Sequence, residues 1–229
     1  MPAPIVSIIV PTFQRPKALH ACLRSIRHTV LLPHEVLCVV VEGDEETEKV
    51  VRSNGAAMII QPTRAGAVNA MNLGFRAAKG EYLMQINDDC ELLPHSLANA
   101  VRFLQVPAHQ HIGQAAFFHD SPVRRNVHAQ IQVEGVWHFV CQVRGLCYAN
   151  FGLASRALYQ RLDYLDERYF MYGADPDFSL KVWHEAGLSV EPCPGAVIHH
   201  AEMQDERARV ERAAQDEDNR KLFEKWKLD

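Results

Sequence analysis

Glu81-Tyr82-Leu83-Met84-Gln85-Ile86-Asn87-Asp88-Asp89-Cys90-Glu91 is the stretch of this 229-residue chain that decides its reading. Tyr82–Ile86 is mostly apolar and suits a buried strand. It runs directly into an amide and two adjacent carboxylates. Neighbouring carboxylates repel, and beside an apolar core they are costly unless positive charge sits with them. A divalent cation answers that need, because Mg²⁺ and Mn²⁺ take oxygen ligands, often one or two carboxylates plus substrate phosphates. A solvated turn built from Asn87, the Asp pair and Pro94 answers it as well. The stretch alone leaves both open.

Upstream, short apolar runs alternate with helical patterns. Val6–Val10, Val36–Val41 and Ala57–Ile60 read as strands. Lys17–His28, with Leu19, Cys22, Leu23 and Ile26 on one face, reads as a helix, as do the polar Glu45–Ser53 and Val68–Ala78. Such alternation predicts a parallel sheet with helices on both faces. Ligands of these sheets bind beyond the carboxyl ends of the strands. That rule points to Pro11-Thr12, to Glu42-Gly43-Asp44 and to Asn87–Glu91.

Downstream the pattern changes. Ala129–Val133 and Val136–Val140 flank Glu134-Gly135 as a hairpin. Ser155–Leu162 and Asp175–Ala186 read as helices, Ser189–Glu191 as a short strand, and Asp205–Lys227 as a charged helix packing through Val210, Leu222, Phe223 and Trp226. Asp175-Pro176-Asp177 has two readings. Asp175 is a good N-cap, Pro176 suits the first helical position and Asp177 favours the helix dipole. Alternatively, Asp175 is a general base at the mouth of a site. His199-His200 follows an apolar run and is either polar surface or a nitrogen donor to a nearby metal, which Mn²⁺ accepts. Arg124-Arg125 reads as a solvated loop.

The composition is that of an ordinary globular protein, 48% hydrophobic and 23% charged. A net charge of −4 gives no overall attraction to nucleic acid or anionic membrane. The six cysteines form no CxxC pair, and the N-terminal run has no signal-peptide pattern. No stretch approaches the ~18 apolar residues of a membrane span. The expectation is a cytoplasmic protein with reduced thiols. No Gly-rich turn follows the first strand at Pro11–Pro16, which sets aside dehydrogenases and methyltransferases.

Taken in order, these pieces resemble glycosyltransferase family 2, whose members have the GT-A fold. Val6–Arg15 is similar to the family's first strand and its nucleotide-contacting exit. Arg64–Gly74 and Ala78–Tyr82 look like the helix and strand leading to its DxD motif, which Ile86–Glu91 resembles. Tyr169-Phe170 and Gly173–Lys181 look like the motif carrying the catalytic base, and Asn219–Trp226 is similar to the closing helix. The resemblance implies an α/β domain over 1–229, with a central, mostly parallel sheet flanked by helices and a smaller antiparallel sheet on the acceptor side. Residues 1–115 would bind the nucleotide sugar, and 116–229, with the C-terminal helix, the acceptor.

It also implies an inverting, metal-assisted transfer from a nucleotide-diphosphate sugar, UDP-linked in the first instance, to an acceptor hydroxyl. Asp175 would be the base, and Asp89 and His199 would hold Mn²⁺ or Mg²⁺. Pro11, Thr12, Phe13, Arg15, Glu42, Arg64, Asn69, Asn87 and Asp88 would line the donor pocket. Trp137, Asn150, Phe151, Gly152 and Asp177 would face an acceptor, a glycan or lipid-linked glycan, with a modified nucleic-acid base as another candidate. Asn87 and Ala174 depart from the family pattern, where acidic residues are usual. They keep a non-catalytic sugar- or nucleotide-binding relative in play; a sugar-nucleotide nucleotidyltransferase, which shares the architecture but wants a Gly-rich loop and a basic residue after the first strand, is the other alternative.

Overall fold

The computed structural model describes residues 3–121 and 126–228. Arg124-Arg125 and the Val210 side chain lie outside the described residues. Four parallel strands form one half of the sheet: β1 (Val6–Thr12), β2 (His34–Val41), β3 (Ala57–Gln61) and β4 (Tyr82–Gln85), in the order β3-β2-β1-β4. The helices between them are α1 (Pro16–Thr29), α2 (Glu45–Ser53) and α3 (Ala67–Ala77). All of β1 is buried, as its unbroken apolar run requires of a strand covered on both faces. Val6, Ile8 and Val10 face one core with Leu19, Cys22 and Ile26 of α1; Ile9 faces the other with Val68, Met71 and Phe75 of α3.

The chain winds outward from β1 to β3 and returns to β4 on the other flank of β1. β1 and β4 therefore border a topological switch point, with Ile9 opposite Gln85. Beyond β4 the sheet continues through β10 (Gly152–Ser155), antiparallel to it, then β6 (Ile112–His119), β11 (Ser189–His200) and β5 (Cys90–Leu92). The expected hairpin is β7 (Val127–Val133) with β8 (Val136–Val143); β9 (Leu146–Tyr148) adds to β8, which joins β6 through His119 and Phe139.

Three features differ from the sequence reading. The short strand at Ser189 is the start of twelve-residue β11, which survives two prolines because its register against β6 shifts between Pro192 and Val197. β5, β6, β10 and α4 (Ser96–Gln105) are additional to the sequence reading, although Leu97, Ala100, Val101 and Leu104 give α4 a helical spacing. The C-terminal helix is broken into α7 (Glu206–Arg212) and α8 (Gln215–Trp226). The two remaining helices, α5 (Arg156–Arg161) and α6 (Ala174–His184), pack on the Ile9 face of the sheet. No described helix is long and apolar enough to cross a membrane.

Candidate active site

Because β1 and β4 are parallel neighbours, Pro11-Thr12 and Asn87–Asp89 emerge side by side. Thr12 donates its hydroxyl to Asp88 Oδ2 at 2.9 Å, and Arg15 Nη1 lies 3.4 Å from Asp88 Oδ1. Asp88 is fully buried with both oxygens engaged. Expected in the donor pocket, it is instead an internal brace, drawn inward from the turn after β4 by Thr12 and Arg15.

Asn87 and Asp89 face outward, into a cavity of about 500 Å³ also lined by Pro11, Arg15, Tyr172, His200 and Met203. Arg15 is the positive charge the acidic pair needs. Its Nη1 is 3.0 Å from Asp89 Oδ2, and its Nε and Nη2 reach Asp205 at 2.7 and 2.8 Å. Asp89 Oδ2 also accepts the Met203 N–H at 3.1 Å. Burial pushes the Asp89 carboxyl up, while the Met203 N–H and Arg15 on its Oδ2 pull it down.

Its second oxygen is different. Asp89 Oδ1 is buried, finds no hydrogen-bond donor among the described residues, and lies 3.3 Å from His200 Nε2. Asp89, Cys90 and His200 bring donor atoms within 4.8 Å of one another. The Cys90 thiol is pushed well above its usual range, first by burial and then by the Asp89 charge, so it is not an available thiolate. What remains is a buried carboxylate oxygen and an imidazole nitrogen, from two residues that line the cavity together with Asn87. That donor set fits Mn²⁺, which accepts nitrogen, better than Mg²⁺.

His199, expected as the ligand, is half exposed and pairs with Asp120 at 2.6 Å. Adjacent strand residues face opposite sides, and antiparallel pairing sets His200 opposite Cys90, so His200 is the one beside Asp89.

A small cleft adjoins the cavity, sharing Pro11 and Ala67 with it and lined by Thr12, Phe13, Gln61, Arg64 and Gly66. The Arg64 guanidinium lies 4.6 Å over the Phe13 ring. Pro11, Thr12, Phe13, Arg15, Arg64 and Asn87 are thus gathered along one surface. Glu42 and Asn69 are not. Glu42 is exposed beyond β2, and Asn69 is tied to Gln61 at 2.8 Å and to Glu167 at 3.4 Å.

Asp175 stands in the first turn of α6 and its side chain makes no N-terminal capping bond. The cap position is Gly173, at φ +76°, the left-handed region that glycine reaches without strain. Gln85 Nε2 donates to Asp175 Oδ1. Burial raises the Asp175 carboxyl to about 7, with the Gln85 bond opposing. Asp175 does not line the 500 Å³ cavity; its charge is felt instead at Cys141, Tyr148 and Tyr159.

The other acceptor-side candidates have internal partners. Trp137 is 43% exposed on β8 and borders neither cavity. Phe151 is buried with its ring edge-on to His119 and His200. Gly152 is required by packing, since a Cβ would meet Gln114 Nε2 at 2.6 Å. Asn150 hydrogen-bonds His119 at 3.2 Å. Asp177 is wholly buried against Trp226, Lys225 and Tyr169. Gln85, His119, Ser121 and Asp205 carry no expectation from sequence. Of these only Gln85 leaves a signal, as a lone polar residue in a buried strand.

A sequence model of glycosyl transferase family 2 matches residues 7–165, most of the chain. The chain belongs to this family of sugar-transferring enzymes. It is 21% identical to the uncharacterized glycosyltransferase YwdF of Bacillus subtilis over 207 residues, 89% of this chain and 77% of that one. Among solved structures it is similar to a mannosyltransferase of Pyrobaculum calidifontis in complex with GDP-Man and Mn²⁺ (TM-score 0.68, 22% identity, 92% of this chain, 61% of that one). It is also similar to S. aureus TarS in complex with UDP-GlcNAc (TM-score 0.68, 18% identity, 89% of this chain, 60% of that one). Its sheet and helices are those of the GT-A fold. The chain spans about three fifths of the length of these solved structures.

Proposed function

We propose that this family member transfers a sugar from a nucleoside-diphosphate donor to an acceptor hydroxyl, with inversion. The observation that carries the reading is the orphaned Asp89 Oδ1 facing His200 Nε2 at 3.3 Å inside the cavity. Asp89 and His200 would hold a divalent cation, Mn²⁺ before Mg²⁺, with Asn87 beside them. When bound there, it would neutralise charge developing on the leaving diphosphate.

The diphosphate lies in the cavity beside Arg15, and the nucleobase in the cleft by Phe13 and Arg64. UDP is the first candidate nucleotide; the relatives above were solved with GDP-Man and with UDP-GlcNAc.

Asp175 supplies the base. A carboxyl near neutrality is matched to removing a hydroxyl proton, and one oxygen stays free while Gln85 holds the other. The acceptor oxygen bonds to the anomeric carbon as the bond to the diphosphate breaks, and the hydroxyl proton passes to Asp175. Attack opposite the leaving group inverts the anomeric centre. A glycan or lipid-linked glycan is the proposed acceptor class.

The test is turnover and binding of UDP- and GDP-sugars by the whole chain, with Mn²⁺ and then with EDTA. Mn²⁺-dependent release of the nucleotide, lost in Asp89→Ala, supports the reading. Arg15 favours a second reading, because it already neutralises Asp88 and Asp89. Turnover unchanged by EDTA would make Arg15 the cation of this site and remove the metal.

A further inference from the structure

β6 lies between β10 and β11, so residues near its C-terminal end meet the start of β10 and the end of β11. Four polar side chains converge there. His200 Nδ1 is 2.7 Å from Ser121 Oγ, Ser121 Oγ is 2.9 Å from His119 Nδ1, and His119 Nε2 is 3.2 Å from Asn150 Oδ1. His119 and Ser121 are 4% and 6% exposed, and Phe139 and Phe151 pack on the His119 ring. The row starts at His200 and leads away from Asp89; Ser121, His119 and Asn150 have no role in the transfer described above.

The row has a direction. Asn150 turns its carbonyl oxygen, an acceptor, towards His119. His119 is neutral, its pKa lowered to about 4 by burial first and then by His200, so it carries one N–H. That proton sits on Nε2, facing the Asn150 oxygen. Nδ1 must then accept, and the donor in reach is the Ser121 hydroxyl. With its proton committed, Ser121 accepts from His200 Nδ1–H. The lone pair of His200 is left on Nε2, pointing at an Asp89 oxygen that has no donor of its own. Two lone-pair atoms facing each other are unfavourable until a cation sits with them. The far ring nitrogen of a metal-binding histidine is commonly fixed in this way.

We propose that Ser121 and His119 are positioning residues that lock His200 in the Nδ1–H tautomer and so set the affinity of the Asp89–His200 pair for a divalent cation. The inference rests on the metal reading of that pair, but its tautomer claim stands on hydrogen bonds alone.

The experiment uses the whole chain and has two readouts. Mn²⁺ affinity is measured from the EPR signal of free Mn²⁺, and the His200 tautomer from long-range ¹H–¹⁵N spectra of the metal-free protein. Ser121→Ala and His119→Leu should each weaken Mn²⁺ binding about 10–100-fold and mix the His200 tautomers. Ser121→Thr keeps the hydroxyl, and His119→Asn keeps an acceptor where Nδ1 stood. Both should retain near-wild-type affinity, which separates the effect from general loss of packing. Unchanged affinity and an unchanged tautomer in Ser121→Ala would overturn the proposal. A wild-type chain that binds no Mn²⁺ while showing the Nδ1–H tautomer would overturn the metal reading and the affinity claim together, leaving only the lock.

Discussion

Trp226 donates its indole N–H to Asp177 Oδ1 at 2.6 Å, across 49 positions of sequence. Asp177 is wholly buried and also takes the Lys225 ammonium at 3.0 Å and the Tyr169 hydroxyl at 3.3 Å. A second buried carboxylate, Asp218 of α8, accepts the backbone N–H groups of Phe170, Met171 and Tyr172. The closing helix is therefore fastened both to α6 and to the loop that leads into it. Asp177→Ala strands Lys225 and Trp226 and should cost about 3–5 kcal/mol. Trp226→Phe removes one bond to a carboxylate and should cost about 1–3 kcal/mol. Urea unfolding followed by circular dichroism measures both, and a neutral Asp177→Ala would show the fastening to be dispensable.

Arg15→Ala should be among the most damaging changes. It leaves Asp88 and Asp89 as uncompensated buried charges, at about 3–5 kcal/mol, and releases Asp205. Arg15→Lys cannot span three carboxylates with one ammonium and should fall between the two. Thermal melts rank the three proteins; an order with Lys below Ala would contradict the brace.

Asp175→Asn should fold, bind the donor with little change and lose about 10²–10⁴ in turnover. Its activity should lack the rise through about pH 7 expected of the wild type as Asp175 loses its proton. Initial rates against pH, with acceptor saturating, decide this. Turnover within a few-fold of wild type would reduce Asp175 to a helix-terminus carboxylate.

His119 and Asp175 should tilt stability in opposite directions between pH 4 and 7. Burial lowers His119 from 6.5 to about 4, so its contribution is full above pH 6.5 and is lost as pH falls towards 4, about 3 kcal/mol in all. Asp175 is raised from 3.8 to about 7, so the fold loses stability as pH rises through that window. Water screening of a partly exposed carboxylate trims this to about 2 kcal/mol. The wild type should look nearly flat. Asp175→Asn should gain stability with rising pH, and His119→Asn should lose it. Denaturant midpoints at pH 4, 5.5 and 7 test the pair, and parallel profiles for the two variants would refute it.

Much of the donor half is legible in the chain. Apolar runs at Val6–Val10 and Val36–Val41 become parallel strands inside the sheet, where both faces are covered, and Ala57–Ile60 becomes its edge strand, with Ile60 39% exposed. The polar residues that end β1 and β4 then mark the site. The far half is less legible. β10 is a four-residue stretch made a strand by β4 and β6, and β11 tolerates prolines only at an irregularity of register.

Sequence by itself determined the alternation of strands and helices, and with it the switch point where Pro11-Thr12 meets Asn87–Asp89. Those signals are local, being periods of apolar residues and the turn chemistry that breaks them. Only the tertiary structure decided which member of each adjacent pair is used. His200 rather than His199 faces Asp89, Asp89 rather than Asp88 faces the cavity, and Asp177 rather than Asp175 is sealed inside. Neighbours on a strand face opposite sides, and those on a helix are turned well apart, so composition cannot distinguish them. The register of β11 on β5 and the crossing of α8 over α6 can, because those contacts join residues far apart in the chain.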